Sequence, residues 1–392
     1  MSVVRPVERP VTRPARSWNV PLSDIAVDEE IEQAVLEVVR SGWWSMGQRV
    51  EEFELEFARL CGAKTALAVS NGTTALHLAL LAVGCSAGDE VIVPSLNFVA
   101  AANTIVHVGA TPVFCDIKGT HDLNLDVADV EAAITPATRA IVVLHYGGHP
   151  CAMDAILELA ARHGIALIED AAHAPGGSWR GRMCGTFGDV GCFSFFSNKN
   201  LPVGEGGMVV TDDELLADRI RLLRSHGMTT LTWDRHRGHA HSYDVVVQGF
   251  NYRLDEIRAA IGLVQLRRLR EQNAARAQLV ARYRAALDGV AGIEMPFPAD
   301  RDSEPADHLA VIVLPEECPR QPFQARLAEA GIQTSVHYPP IHGFSAYRGI
   351  GERRPLPVTD MVAPRLVSLP LYPHLSARDA SAVASAAVLA AS

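Results

Sequence analysis

Short apolar runs alternate with helix-like stretches between residues 50 and 215, and this alternation constrains the fold more than any other feature of the sequence. The runs are rich in β-branched and aliphatic residues and cover residues 66–69, 91–93, 113–114, 140–144 and 165–168. Continuous apolar strands separated by helical patterns are typical of a sheet that is buried on both faces, which is a parallel α/β sheet. The pattern therefore predicts one large α/β domain with a mostly parallel sheet.

Residues suited to ligand binding follow three of these runs, and ligands bind beyond the carboxyl ends of the strands in sheets of this kind. Segment 70–74 contains Gly72 and Thr73 and opens a predicted helix. Its backbone N–H groups suit a phosphate, although an ordinary capped helix start explains the same residues. Asp170 either faces a cationic ring nitrogen or caps the next turn. Phe98 either stacks on a cofactor ring or belongs to the core.

Lysine is rare in this chain, which contains only Lys64, Lys118 and Lys199 among its 35 basic residues. A guanidinium stays protonated and cannot form a Schiff base, so chemistry that needs an amine has few candidates. Lys199 lies in the apolar, serine-containing segment 193–200, just before the glycine-rich run 204–207. We therefore expect Lys199 to be the reactive amine.

The second half of the chain predicts a different organisation. An arginine-rich helical pattern covers residues 255–287 and predicts a helix that links a large domain, residues 51–254, to a smaller α+β domain, residues 288–392. The elements predicted for the smaller domain are strands near 308–314 and 334–337, a helix near 323–330 and a last helix.

The N-terminal part of the chain falls into two segments. Residues 1–18 alternate arginine and proline without an apolar stretch, which predicts a disordered leader and not a secretory signal. Residues 19–50 are expected to pack at the domain junction, with a predicted helix over residues 20–40 that is apolar on one face.

Charge and composition exclude several classes of partner. A net charge of -10 and a pI near 5.8 argue against nucleic acid, because neutralising a phosphate backbone requires a strongly basic face. No apolar run approaches the ~20 residues of a membrane-spanning helix, so no membrane partner is expected. The seven cysteines are scattered and lack metal-knuckle spacing, which indicates buried thiols in a reducing compartment, the cytoplasm.

Longer motifs extend over nearly the whole chain after the leader. They occupy residues 41–42, 53–54, 88–94, 336–340 and 369–373. Through them the sequence resembles the DegT/DnrJ/EryC1/StrS family of pyridoxal phosphate-dependent sugar aminotransferases, which has the aspartate aminotransferase fold (fold type I). The resemblance implies a large, mostly parallel-sheet domain that binds pyridoxal 5'-phosphate and a smaller α+β domain. It also implies pyridoxamine 5'-phosphate as the intermediate form of the cofactor.

The resemblance implies roles for individual residues. Lys199 matches the lysine that forms the Schiff base, and Asp170 matches the partner of the pyridinium nitrogen. Phe98 and Ala172 match the residues on the two faces of the ring. The other matches are Gly72, Thr73 and Ser194 in the phosphate cup, His173 beside the phenolic oxygen, and Asn251 as a phosphate contact from the neighbouring subunit. Asn251 therefore implies a homodimer with shared active sites.

Two positions distinguish this chain within the family. Asn97 stands where members commonly have threonine, so the resemblance implies no role for it. Lys199 occupies the position at which the sugar 3-deoxygenases of the family have histidine. The lysine therefore favours transamination.

The segment 226–244 is long and irregular and contains Trp233, Arg235 and Arg237. It is either a solvated loop or a lid, in which the two arginines bind a diphosphate and Trp233 stacks on a base or sugar. No metal is predicted, because the loop lacks an acidic or cysteine partner in frame with its histidines, His236, His239 and His241. His337 is either a substrate contact or a structural histidine.

Together these features predict an aminotransferase that uses glutamate or glutamine as the donor. The acceptor is a nucleotide-linked keto sugar or a keto-cyclitol, in antibiotic or other natural-product biosynthesis or in polysaccharide biosynthesis. A second hypothesis keeps the cofactor but makes the reaction an elimination, a dehydration or a carbon–carbon bond formation. A third is a non-catalytic regulatory paralogue that binds the cofactor. Lys199, Asp170 and Ser194 argue against the third hypothesis but not the second, because both reactions use the same electron sink.

Overall fold

The structure of the chain is a computed structural model that describes residues 18–230, 233, 236–238, 241–350 and 354–392. Residues 1–17 of the predicted leader, together with Arg235 and His239, lie outside the described residues.

Helices and strands alternate from residue 48 to residue 170, further strands follow without an intervening helix up to residue 211, and helices predominate beyond it. The helices are α1 (Glu29–Ser41), α2 (Gln48–Cys61), α3 (Gly72–Ala82), α4 (Ala100–His107), α5 (Val127–Ala133), α6 (Met153–His163), α7 (Glu214–Leu223), α8 (Glu256–Leu287), α9 (Arg320–Glu329), α10 (Pro357–Val362) and α11 (Ala377–Ala391). The strands are β1 (Thr65–Val69), β2 (Glu90–Pro94), β3 (Thr111–Cys115), β4 (Thr138–Leu144), β5 (Ala166–Asp170), β6 (Ser178–Trp179), β7 (Arg182–Met183), β8 (Val190–Ser194), β9 (Gly207–Thr211), β10 (Ser303–Glu304), β11 (Ala310–Val313) and β12 (Leu366–Leu369).

A seven-stranded sheet with the order β1-β9-β8-β5-β4-β2-β3 forms the centre of the larger part. Neighbouring strands from β8 to β3 are parallel, whereas β9 is antiparallel to both β1 and β8. The register places Leu144 of β4 opposite Asp170 of β5, and Asp170 opposite Cys192 of β8. The carboxyl ends of these strands therefore meet at one edge of the sheet.

Both faces of this sheet are buried, as the continuous apolar runs predict. Successive side chains of a strand point to opposite faces. In β4, Ala140 and Val142 pack in a cluster with residues of α3 and α4, while Ile141 and Val143 pack with residues of α5 and α6. The run 140–144 of this strand is apolar at every position, so helices must cover the sheet on both sides.

The long helix α8 connects this sheet to the C-terminal part. The Asp255 side chain caps it by accepting a hydrogen bond from Arg258 N at 2.9 Å. Its later turns place Tyr283 in one buried cluster with Phe323 and with the side chains of the antiparallel pair β11 and β12. Although α8 has 32 residues, no helix of the described residues is long and apolar enough to cross a membrane. The domain boundaries stay a prediction.

Two predicted elements differ from the observed ones. The helix predicted over residues 20–40 begins only at Glu29, where Asp28 caps it, and Val20 instead forms a bridge to Ile332. The strand predicted near 334–337 is reduced to one bridge between Ser335 and Ser368. In both places contacts with residues far away in the sequence decide the backbone conformation, and local patterns do not report such contacts.

Candidate active site

The carboxyl ends of the strands surround a cavity of about 450 Å³. Turns after β1 and β2, the ends of β5 and β8, and the segment after β8 all contribute to its walls. Of the residues predicted from the sequence, those that line the cavity are Gly72, Thr73, Phe98, Asp170, Ala172, His173, Ser194, Lys199 and His337. The parallel sheet therefore gathers the residues from Gly72 to Lys199 at one edge, and His337 reaches the same cavity from the C-terminal part of the chain.

The turn after β1 and the end of β8 together form a cradle that is suited to an anion. Asn71 caps α3 by accepting a hydrogen bond from Thr74 N at 2.9 Å, and the other N–H groups of the first turn have no partner within the helix. A Cβ atom at Gly72 would lie 2.8 Å from Cβ of Ser194, so only glycine permits this approach. Helix dipole, free N–H groups and the Ser194 hydroxyl together fit a phosphate.

Asp170 is buried at the end of β5 and has few partners for its charge. Its carboxylate accepts hydrogen bonds from Ala172 N at 3.2 Å and from Asn97 Nδ2 at 3.5 Å. Burial raises the pKa of Asp170, although the positive charge of Lys199 opposes the shift. A cationic N–H of a pyridine ring would supply the missing partner. Asn97, whose role the sequence left open, thus orients this carboxylate.

Lys199 is partly buried in the same cavity. Burial lowers the pKa of Lys199 to about 8, and the charge of Asp170 limits the shift. An amine with this pKa exchanges its proton near neutral pH, which is a requirement for a general base and for a nucleophilic amine. The position of Lys199 and Asp170 in one cavity therefore suits a reaction at an amine beside an electron-withdrawing ring.

Aromatic side chains form one wall of the cavity. Phe98 is 54% exposed, and its ring centroid lies 5.8 Å from that of Tyr338. An exposed phenylalanine that faces a cavity provides a flat surface for a ring. Ala172 also lines the cavity and is small enough to leave room for a ring.

His173 and Tyr338 form a partly buried hydrogen bond that the sequence did not predict. Nδ1 of His173 accepts a hydrogen bond from Gly147 N at 3.3 Å, so Nε2 bears the proton and donates to the Tyr338 hydroxyl at 2.8 Å. Burial, together with the charge of Lys199, lowers the pKa of His173 well below its usual range, which keeps the ring neutral. The one indication of Tyr338 in the sequence is that it belongs to the family motif 336–340.

Asn200 anchors the backbone beside Lys199 and was also missed. Its side-chain amide donates to Asn273 Oδ1 at 2.9 Å and to Ala306 O at 2.7 Å, and its carbonyl oxygen accepts from His308 Nδ1 at 3.0 Å. These bonds connect the segment after β8 to α8 and to the loop before β11. They hold Lys199 in place through its neighbour.

Some predicted residues do not reach this cavity within one chain. Asn251 is exposed and does not line it. The ring of Trp233 lies 4.9 Å from that of Trp43, and the Arg237 guanidinium lies 5.7 Å from the Trp233 ring, in a different part of the molecule. Arg235 lies outside the described residues. His337 lines the cavity, and its Nδ1 bonds to Ser368 Oγ at 2.8 Å.

Comparisons with known proteins identify the family of the chain. The sequence model of the DegT/DnrJ/EryC1/StrS aminotransferase family matches residues 26–388. The chain is 42% identical over 379 residues to the spore coat polysaccharide biosynthesis protein SpsC of Bacillus subtilis (strain 168), with 95% of this chain and 97% of SpsC covered.

Solved structures show the same fold. The aminotransferase TlmJ from Streptoalloteichus hindustanus superposes with a TM-score of 0.88 at 36% identity, covering 95% of this chain and 98% of TlmJ. DesV from S. venezuelae, solved in complex with a ketimine intermediate, has a TM-score of 0.85 at 39% identity, covering 92% of this chain and 94% of DesV. The predicted α/β fold class is thereby confirmed. The chain belongs to the DegT/DnrJ/EryC1/StrS aminotransferase family and is a pyridoxal phosphate-dependent aminotransferase.

Proposed function

We propose that this enzyme moves an amino group from glutamate or glutamine to a nucleotide-linked keto sugar or a keto-cyclitol. The observation that carries the proposal is the placement of Lys199 and Asp170 in one cavity with an anion-binding cradle. The relative from B. subtilis has a name that refers to spore coat polysaccharide biosynthesis, which favours a surface polysaccharide over an antibiotic or another natural product as the destination.

The residues of the cavity fit pyridoxal 5'-phosphate. In this proposal Gly72, Thr73 and Ser194 hold its phosphate, Asp170 pairs with the ring nitrogen, Phe98 and Ala172 contact the ring faces, His173 lies beside the phenolic oxygen, and Lys199 forms the covalent link. The bound cofactor supplies an electron sink, and its pyridoxamine form carries the amino group between donor and acceptor. The buried Asp170 charge and the close approach of Gly72 to Ser194 support this assignment.

Lys199 is proposed as the group that moves protons. With a pKa of about 8, Nζ can accept the proton from the α-carbon of the amino donor and return one to the former carbonyl carbon of the acceptor. Asp170, held by Ala172 N and Asn97, keeps its negative charge next to the ring and so favours loss of the α-proton. Asn200 positions Lys199 for both steps.

We also propose that the working form is a homodimer in the cytoplasm. Asn251 is exposed and does not line the cavity of its own chain, so a second copy would have to bring it to the phosphate. The neighbouring Val245, Val246 and Val247 are 51%, 57% and 40% exposed, which is unusual for three consecutive valines and suits an interface. The unpaired cysteines support a reducing compartment, which cell fractionation would test.

Subunit mixing tests the shared site. Lys199→Ala and Asn251→Ala variants are expected to be weak alone and to regain activity after mixing and exchange, because one site of each mixed dimer has both residues. Sedimentation of the wild-type enzyme as a monomer, or no regain of activity after subunit exchange, would contradict the proposal.

Two measurements test the function itself. The purified enzyme is first incubated with glutamate or glutamine, and the change in absorbance of the bound cofactor is followed. Candidate ketones are then added, and the recovery of the original absorbance is followed. Lys199→Ala is expected to abolish both changes, whereas Lys64→Ala, at an exposed lysine, serves as the matched control. Full activity of Lys199→Ala would remove Lys199 from the mechanism. Failure of the wild type with every donor would favour elimination, dehydration or carbon–carbon bond formation.

A further inference from the structure

A second cavity, of about 460 Å³, shares Asn198 and Lys199 with the first one. Its other walls come from the segment 23–28, from α8 between Gln265 and Arg276, and from residues 371–374. Apart from Lys199, no residue of these walls has a role in the proposed cofactor site. A ligand in this space would nevertheless lie next to the reactive amine.

Arg276 is the unusual residue of this second cavity. It is only 5% exposed, and its guanidinium makes no hydrogen bond or ion pair with any residue that the structure describes. Burial lowers the pKa of Arg276 to about 10, so the group is still charged near neutral pH, and the charge of Asp307 limits the shift. Asp307 does not come within ion-pair distance. Removing such a charge from water without a partner is costly, so an anionic ligand would stabilise this arrangement.

The other charged residues of the second cavity limit which kind of anion can bind there. Arg268 is already paired with Asp28 at 2.8 Å and also with Glu30, and Asp24 is paired with His374 at 3.1 Å. These pairs leave little positive charge apart from Arg276 and Lys199.

The acidic groups of the same walls disfavour a strongly negative ligand. Asp24, Asp28 and Glu271 all line the cavity, and Glu271 forms no ion pair among the described residues. A diphosphate would meet these three carboxylates. An amino acid zwitterion has one carboxylate for Arg276 and an ammonium group that the acidic side chains attract, so its charges are complementary to the cavity.

We infer that Arg276 binds a carboxylate of the amino donor in this second cavity, with the amino group directed toward Lys199. The inference rests on the proposed function and deepens it, because it assigns the donor and the sugar to different parts of the site. An arginine fork that binds a carboxylate through two parallel hydrogen bonds also selects amino acids over neutral amines.

Arg276→Gln and Arg276→Lys test this assignment against Arg268→Gln, a matched variant at a paired arginine of the same helix and cavity. Single-turnover conversion of the holoenzyme gives the dissociation constant of L-glutamate and the maximal rate separately. Arg276→Gln is expected to raise this constant roughly 10- to 100-fold, the loss of one charge-assisted contact, and to leave the KM of the ketone unchanged. Arg276→Lys should show a smaller increase, since it keeps the charge but loses the fork.

Calorimetry with α-methyl-L-glutamine and with uridine diphosphate, on holoenzyme whose circular dichroism matches the wild type, separates the possible outcomes. The first probe is an amino acid zwitterion that has no α-proton to lose. Loss of its binding in Arg276→Gln supports the inference. The inference is overturned if the wild type does not bind this zwitterion, if the dissociation constant of L-glutamate does not change in Arg276→Gln, if Arg268→Gln has the same effect, or if only diphosphate binding is lost. If the wild type converts no donor but binds the zwitterion through Arg276, the site for the carboxylate stands and the proposed function fails.

Discussion

Replacing Glu169 by glutamine should destabilise the fold directly beside the candidate site. Glu169 is fully buried next to Asp170, and its carboxylate accepts four hydrogen bonds. Oε1 accepts from Phe187 N at 2.6 Å and from Gly188 N at 2.7 Å. Oε2 accepts from Gly185 N at 2.7 Å and from His145 Nε2 at 2.9 Å. Because Cys151 N donates to Nδ1 of His145, Nε2 of this ring bears the proton.

Glutamine has the same shape as glutamate but only one oxygen. Whichever way its amide is oriented, two of the four donors lose their acceptor and face an N–H group. A hydrogen bond to a charged group contributes about 1.5–3 kcal/mol, so Glu169→Gln should cost about 3–6 kcal/mol. This is a large fraction of the ~5–15 kcal/mol by which native proteins are stable.

The assay is the urea midpoint of unfolding at constant protein concentration, followed by circular dichroism. The matched control is Glu158→Gln, which makes the same change at an exposed carboxylate and should remain within about 0.5 kcal/mol of the wild type. Glu169→Gln should also bind the cofactor more weakly, because the adjacent Asp170 loses its rigid support. If both variants unfold at the wild-type midpoint, the two hydrogen bonds lost from Glu169 do not stabilise the fold by about 3–6 kcal/mol, the amount expected from about 1.5–3 kcal/mol per bond.

Three further predictions concern the site itself. Since burial lowers the pKa of Lys199 to about 8, the rate of donor conversion at saturation should rise with pH and level off above about 8, as the amine loses its proton; a rise that continues to pH 10 would indicate an unshifted lysine. Gly72→Ala places Cβ 2.8 Å from Cβ of Ser194 and should weaken cofactor binding roughly tenfold in a fluorescence titration, whereas Gly343→Ala, at an open position, should not; equal affinities would refute the cradle. Arg237→Gln should raise the KM of the ketone more than that of the donor if the loop with Trp233 is a lid, and equal effects in steady-state kinetics would favour a solvated loop.

Much of the fold could be predicted because it depends on local patterns. The continuous apolar run 140–144 of β4 requires helices on both sides, and the parallel arrangement then places Asp170 and the turn at Gly72 at one edge. The helix α8 begins after Asp255 as the pattern predicts, since a capping side chain acts on its own first turn. The antiparallel direction of β9 had no such local signal, because strand direction depends on the path of the chain between strands.

The parts of the site that were missed all depend on partners distant in sequence. His173 bonds to Tyr338, 165 positions later, and Asn200 bonds to His308, 108 positions later. No periodicity or short motif reports such pairs. Nothing in the sequence distinguishes Arg276 from the other arginines of α8. Only the folded structure shows that its guanidinium has no partner among the described residues.

The sequence by itself determined the kind of chemistry, because only three lysines are present and only Lys199, in the segment 193–207, matches the Schiff-base lysine of the family motif. The tertiary structure decided how those residues behave. The lowered pKa of Lys199, the raised pKa of Asp170 and the isolation of Arg276 arise from burial and from the distances between charges. Burial and charge separation are collective properties of the folded chain, since they depend on which distant segments exclude water from each group.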